Sequence, residues 1–343
     1  MNSKERVYAS INHKNPDRIP RFIWFGKETR KSLSEVMGVT SLEIDFKAGN
    51  DILQTWLSIN GQMEKDVPDH TQFVDEWGIT WKREGVHNMV AVNPMADMEA
   101  DEIKAYKLPD PLAPERYTEL EALISEYGNE YFIGADVSGS LFEPAYHLRG
   151  MENLMIDMAM DGEEIEILLD RICEITTIIA KEAVKRGVDW IWLGDDLGSQ
   201  INMLMSPDMW RKFLKPRMAK IISEIRSIKS DMIIAYHSCG SMYHVIPDLI
   251  EIGINVLNPI QESAEGMNHQ KIKAAYGDKL TMMCGPDTQQ FLINAAPEVV
   301  MKKTRELIET LGKNGGYIFA VSHHIQPGTP TENIFAIFEE LKK

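Results

Sequence analysis

The stretch Met232-Ile-Ile-Ala-Tyr-His-Ser-Cys-Gly240 is a short apolar run that ends abruptly in a histidine, a cysteine and a glycine. A short apolar run bounded by turn residues suits a strand buried on both faces. Polar residues just past such a strand are what a parallel barrel carries on its catalytic face. The same pattern recurs outward from this stretch. Val188–Leu193 leads into Gly194-Asp195-Asp196, and Tyr131–Val137 carries Asp136 and Ser138 at its end. Ile254–Pro259 leads into Gln261, Leu280–Cys284 into Asp287, and Tyr317–Val321 into Ser322-His323-His324. Between these runs lie segments of helical periodicity, notably Glu163–Lys185, Pro207–Ile228 and Pro297–Leu311. Proline in the first turn fits the last two. Strand alternating with helix implies a parallel sheet. No G-x-G-x-x-G follows a strand and no P-loop is present, which counts against a nucleotide-binding doubly wound sheet. The expected fold is α/β, a (β/α)8 TIM barrel.

The N-terminal third reads as a cap with the first barrel elements. Lys4–His13 suits a helix, broken by Asn15-Pro16-Asp17. Ile19–Gly26 suits a first strand, Lys27–Val36 a helix, and Phe73–Arg83 a β-hairpin around Gly78. Leu108-Pro-Asp-Pro111 is a rigid connector before a helix at Pro114–Tyr127. No boundary is visible, so residues 1–343 are expected to form a single barrel domain with an N-terminal cap and hairpin insertion.

Composition narrows the partners. Of the 343 residues, 44% are hydrophobic and 26% charged, an ordinary globular balance. The net charge is 36 − 52 = −16, which repels nucleic-acid phosphates and anionic lipid. Nucleic acid and membrane are therefore not expected partners. The cysteines, Cys173, Cys239 and Cys284, are odd in number and far apart. That disfavours a disulfide framework and suits a reducing cytoplasm. No signal-like segment and no long apolar run is present.

His237-x-Cys239 is the sharpest chemical feature. Residues i and i+2 of a strand share a side, so both could converge on one ion. Imidazole and thiolate suit zinc. His323 and Cys284, both at expected strand ends, are candidates for a third ligand. The same residues also suit a packed histidine and buried thiols. Asp195-Asp196 suits a base or a helix cap. Cys173, Trp190 and Trp192 read as packing.

Several motifs together resemble the uroporphyrinogen decarboxylase-like superfamily. They are His237-Ser-Cys-Gly240, Ile246-Pro-Asp-Leu-Ile-Glu-Ile-Gly253, Leu257-Asn-Pro-Ile-Gln261 and Gly194-Asp-Asp-Leu-Gly-Ser-Gln200 with Met205-Ser-Pro-Asp-Met-Trp210. Gly315-Gly-Tyr-Ile, His323-His-Ile-Gln-Pro-Gly-Thr-Pro330, Arg6, Asn15-Pro-Asp-Arg-Ile-Pro20 and Asp75-Glu-Trp-Gly78 complete the likeness. The superfamily contains cofactor-free decarboxylases and corrinoid-dependent methyltransferases. The decarboxylases carry an arginine-rich R-Q-A-G-R-Y stretch that grips carboxylates. Here the corresponding place reads Arg21-Phe-Ile-Trp-Phe-Gly26. The methyltransferases carry a zinc signature, His-x-Cys and a distant Cys, and the distant position falls here at His323.

The resemblance thus implies a zinc-dependent methyltransferase moving a methyl group between a small substrate and a corrinoid (methylcobalamin) carried by a separate protein. His237, Cys239 and His323 would hold the metal. Asp136, Asp195, Asp196 and Gln261 would orient substrate or move a proton. A cytoplasmic homodimer is expected by likeness to relatives. The alternatives are a carboxy-lyase of porphyrin metabolism, with Asp136 or Asp196 stabilising a protonated intermediate, and a binding subunit without catalysis.

Overall fold

The computed structural model describes residues 1–59, 65–85 and 87–343. In chain order the strands are β1 (Ile52–Trp56), β2 (Gln72–Val74), β3 (Thr80–Glu84), β4 (His87–Val92) and β5 (Phe132–Asp136), followed by β6 (Trp190–Gly194), β7 (Ile233–His237), β8 (Val256–Asn258), β9 (Thr281–Cys284) and β10 (Tyr317–Phe319). β1 and β5 to β10 form one parallel sheet in the order β1-β5-β6-β7-β8-β9-β10, with helices in the connections. Each strand pairs with the next of the series, which is the winding of a barrel rather than of a doubly wound sheet.

Alternation along the strands sorts the side chains. Ile52, Phe132, Trp190, Trp192, Ile233 and Met283 belong to an interior cluster. The residues between them, such as Ile133, Ile191, Ile234 and Cys284, pack in the layer shared with the helices. Both populations are buried, and this explains why the strands read as continuous apolar runs. The helix Ser3–Ile11 plugs the bottom. Its Val7 and Ile11 join the interior cluster, and Ser10 Oγ donates to the Tyr317 carbonyl at 2.7 Å.

The eighth stave is irregular. Ile19–Gly26 does not form the expected continuous strand. Arg21 bridges in parallel to Phe319, and Phe25 to Ile325. Pro20 has no N–H, so a ladder there is interrupted from the start. On the other flank, Asp51 N–H donates to the Arg21 carbonyl at 2.9 Å. The Asn50 amide accepts from Ile23 N–H at 2.8 Å and donates to the Ile23 carbonyl at 2.7 Å. A side-chain amide thus imitates the peptide of a neighbouring strand. β1 itself is absent from the strands expected above.

Beneath this seam Asp51 is fully buried. It accepts from Arg6 at 2.6 Å, from Arg18 at 2.7 and 2.9 Å, and from Arg21 N–H at 2.9 Å. Arg6 also holds Asp17 at 2.7 Å. The Arg6 and Asn15–Pro20 motifs are therefore a charged clasp at the foot of β1, away from the strands' C-terminal ends.

The expected hairpin is present as β2 and β3, and β4 adds a third antiparallel strand. Asp75 shapes its turn by accepting from Trp77 N–H, Ile79 N–H and Trp81 Nε1 at 2.8 to 2.9 Å. Gly78 has φ +81°, and a Cβ there would meet the Tyr106 hydroxyl at 2.1 Å. The expected helix Pro207–Ile228 is two helices, Pro207–Phe213 and Lys215–Ile228. Pro216 cannot donate back to Lys212, so the chain bends at Leu214. Among the described residues, no helix is long and apolar enough to cross a membrane.

Candidate metal centre

His237 ends β7 on the inward side, in step with Ile233 and Ala235. The register sets it level with Gly194 of β6 and Asn258 of β8. Gly194 has no side chain because a Cβ there would lie 2.4 Å from the His237 carbonyl. Asn258 Nδ2 donates to the Met283 carbonyl at 3.1 Å, which fixes the amide's orientation. Its Oδ1 then faces His237 Nδ1 at 2.8 Å and must accept. The proton therefore sits on Nδ1, and the Nε2 lone pair is free. Nε2 lies 3.6 Å from Cys239 Sγ.

His323, just past β10, completes the group. Ligand atoms of His237, Cys239 and His323 all lie within 4.8 Å of one another. The alternative third ligand, Cys284, faces the other way. Its position on β9 is out of phase with inward-facing Met283, and it is buried among helix-facing residues. It is not part of the group. His324 packs beside His323, its ring tilted 53° with centroids 4.2 Å apart, and hydrogen-bonds Gln326.

The loops after β6 and β7 are stitched together under Cys239. Asp196 Oδ1 accepts from Cys239 N–H at 2.8 Å, and Leu197 N–H donates to Ser238 Oγ at 3.0 Å. Gly240, at φ +78°, is pressed against Gly198; a Cβ on Gly240 would lie 2.3 Å from the Gly198 carbonyl. Gln261 Oε1 accepts from Gly240 N–H at 2.8 Å, so Gln261 holds this loop from the far side.

The acidic residues expected to act at the site separate into different tasks. Asp196 is partly exposed and reaches to 3.6 Å from His237 Nε2. Its neighbour Asp195 points away and caps the helix Phe142–Arg149, accepting from Leu141 and Glu143 N–H at 3.0 Å. Burial pushes the Asp195 carboxyl up to about 7, against the pull of those backbone donors. Asp136 is also enclosed. It accepts from Ser138 N–H and Oγ, Gln54 Nε2 and Trp56 Nε1 at 2.6 to 2.9 Å. Burial raises its pKa as well. Asp136 and Asp195 are thus tied to the scaffold, and Asp196 is the aspartate that reaches the trio.

Burial and the adjacent His237 hold the His323 imidazole down at about 4, so it is neutral at ordinary pH. Burial, with Asp196 and Glu143 nearby, pushes the Cys239 thiol well up. Two imidazoles and a thiol among carboxylates form a donor set that a dication would stabilise, because its charge reverses the penalty on the thiolate.

Four neighbours went unrecognised in the sequence. Trp24 lies against the trio, its ring 5.8 Å from His237 and 5.5 Å from His323. Asn258 sets the His237 tautomer. Buried Glu143 and half-buried Tyr146, on one helix turn, lie close to the acidic side of Cys239. Only Asn258 carried a usable signal, because it occupies the last inward position of the strand adjacent to His237.

Residues 83–343 match the family model of uroporphyrinogen decarboxylase (URO-D). The methylcobamide:CoM methyltransferase MtaA of Methanosarcina barkeri is 28% identical over 175 residues, 50% of this chain and 47% of that protein. The uroporphyrinogen decarboxylase of Coxiella burnetii is 22% identical over 178 residues, 51% of this chain and 46% of that protein. The chain spans about half the length of these curated relatives. A solved methyltransferase from Methanosarcina mazei superposes with a TM-score of 0.75 at 18% identity, over 100% of this chain and 98% of the other. That likeness speaks for the barrel fold.

Proposed function

The chain belongs to the uroporphyrinogen decarboxylase (URO-D) family, and we propose that within it this protein is a zinc-dependent methyltransferase, moving a methyl group between a small substrate and a corrinoid protein. One observation carries this reading: His237, Cys239 and His323 bring two imidazoles and a thiol within 4.8 Å of one another at the mouth of the barrel. The likeness to the MtaA methyltransferase supports it. The donor set suits zinc, and three protein ligands leave a position for substrate. Zinc held there supplies a Lewis acid that lowers the pKa of a thiol or polarises an oxygen bearing a methyl group.

The chain's own residues prepare that centre. Asn258 keeps the His237 proton on Nδ1 and so leaves Nε2 available. Gln261 and Asp196 hold the loop that carries Cys239. Asp196 is partly exposed and near enough to orient a substrate or take its proton. Trp24 and Trp192 wall the His237 ring on two sides. The corrinoid protein would dock over the mouth.

The carboxy-lyase alternative needs cations to grip carboxylates. The buried arginines are committed elsewhere: Arg6 to Asp51, Arg83 to Glu28, Arg149 to Asp157 and Arg217 to Asp170. Arg21 turns its guanidinium to the Leu341 carbonyl.

Metal analysis of protein purified without a polyhistidine tag tests the proposal. Wild type should hold about one zinc per chain, and Cys239→Ala should hold essentially none while melting normally. Absence of zinc from both proteins would sink the reading.

A further inference from the structure

A cavity of about 590 Å³ opens beside the ends of β8, β9 and β10. Glu262 and Ser263 line it from the segment after β8, and Asp287 from the segment after β9. Phe291 and Asn294 come from the helix Phe291–Asn294, and Lys303 from the helix Pro297–Leu311. None of His237, Cys239 or His323 lines it. Its tie to the metal centre is indirect: Ser263 Oγ accepts from Gln261 Nε2 at 3.3 Å, and Gln261 holds Gly240.

The cavity has more acceptors than donors to meet them. Its charged lining residues are Glu262, Asp287 and Lys303, two carboxylates against one ammonium. Lys303 Nζ already donates to Glu262 at 3.0 Å. Asp287 turns Oδ2 to the N–H groups of Gln290 and Phe291, at 2.7 and 3.0 Å. Its Oδ1 is enclosed and has no hydrogen-bond partner among the described residues. Behind Glu262 lies a second orphan. His269 is 2% exposed, and its Nε2 donates to the Ile260 carbonyl at 2.7 Å. Burial lowers its pKa and keeps the ring neutral. Its Nδ1 is then an acceptor with no hydrogen-bond partner, 3.6 Å from Glu262 Oε2. Enclosed acceptors without donors cost free energy, which a ligand bringing N–H groups recovers.

A single metal ion does not answer this arrangement. Among the described residues, Glu262, Asp287 and His269 do not bring three ligand atoms within 4.8 Å of one another, as the metal trio does. A larger cation with several N–H donors spans such a spacing. The cavity has the size of a small-molecule site, and the Phe291 ring offers a surface to a cation and its carbon chain.

The geometry points to this cavity as a binding site for a small organic cation carrying a primary ammonium group, held by Asp287 and Glu262 and packed against Phe291. The site is separate from the metal trio and does not depend on the methyltransferase reading.

The probe is n-butylammonium, with n-butanol and butyrate as its neutral and anionic counterparts. Binding is measured by ligand-observed NMR on the full chain. Asp287→Asn removes the charge at nearly constant shape, and Ser263→Trp fills the cavity from an exposed position. Glu265→Gln removes an exposed carboxylate of the same segment that does not line the cavity. All three variants are first checked for a wild-type melting temperature. The ammonium should bind with Kd of about 1 mM or tighter, and n-butanol and butyrate about tenfold more weakly. Asp287→Asn and Ser263→Trp should each raise its Kd about tenfold, and Glu265→Gln should leave it unchanged. No binding to wild type, or equal binding of n-butanol, would overturn the inference. Equal weakening by Glu265→Gln and Asp287→Asn would also overturn it, because the amine would then be drawn only by the acidic surface. Displacement of the amine by an equal concentration of magnesium would make this a metal site instead.

Discussion

The arc from β5 to β10 and the seam formed by Arg21–Phe25 and β1 build the same barrel by different means. In the arc every strand has a laddered neighbour on each side, apart from the flank of β10 that faces the irregular stave. In the seam one backbone bond, from Asp51 N–H to the Arg21 carbonyl, is supplemented by side chains: Asn50 stands in for a peptide, and Asp51 gathers Arg6 and Arg18. The arc supplies the candidate ligands; the seam supplies closure. A regular ladder fixes atoms to within the tolerance that a metal demands. A wall closed only at its base leaves space above.

The sharpest way to break this contrast is Asp51→Ala. It leaves Arg6 and Arg18 without their buried partner, and removing one member of a buried ion pair costs about 3 to 5 kcal/mol. Chemical denaturation should register that loss, while zinc content stays at the wild-type value. Loss of zinc from the folded variant would mean that the seam also shapes the centre.

Asn258→Leu probes the arc and should do the reverse. His237 loses the acceptor that fixes its tautomer, and zinc affinity should fall by about 10- to 100-fold. Asn258→Asp, which keeps an acceptor at that position, should recover most of the affinity in a competition assay with a chromophoric chelator. If both substitutions weaken zinc equally, Asn258 acts only through packing.

The smallest expected effect separates the two adjacent aspartates. Asp195→Ala removes a helix cap and should cost about 1 to 2 kcal/mol in denaturation. Its zinc affinity should stay near wild type. A drop in affinity comparable to that of Asn258→Leu would show that Asp195 reaches the metal after all.

What was legible in the sequence follows the same division. β5 to β10 announced themselves, because strands buried on both faces are apolar without interruption and stop at polar ends. The pair His237 and Cys239 was legible for the same reason, being the end of such a run. β1 was not, because Gln54 and Thr55 break its apolar pattern; Gln54 is inside only because Asp136 and Trp190 satisfy it. Ile19–Gly26 misled in the opposite sense: its residues favour a strand, but the partner that would extend the ladder is missing. Asp195 and Asp196 could not be told apart, since one faces a helix that lies more than fifty residues earlier. Trp24 escaped notice because its place beside His237 and His323 depends on bringing distant parts of the chain together.

Closure also sets an order of events during synthesis. Ser10 bonds Tyr317 across 307 positions of the chain, and Arg21 bridges to Phe319. The first stave and its plug hold Asn50 and Asp51 early, but the bonds that close the barrel wait for the last strand. Until then Trp190, Trp192 and Phe132 line an open trough, a surface that invites aggregation. The strand that ends the wait also carries His323 toward His237 and Cys239. Sealing the trough and assembling the trio are thus one late event, and zinc present during synthesis would reward the nascent chain only at that moment.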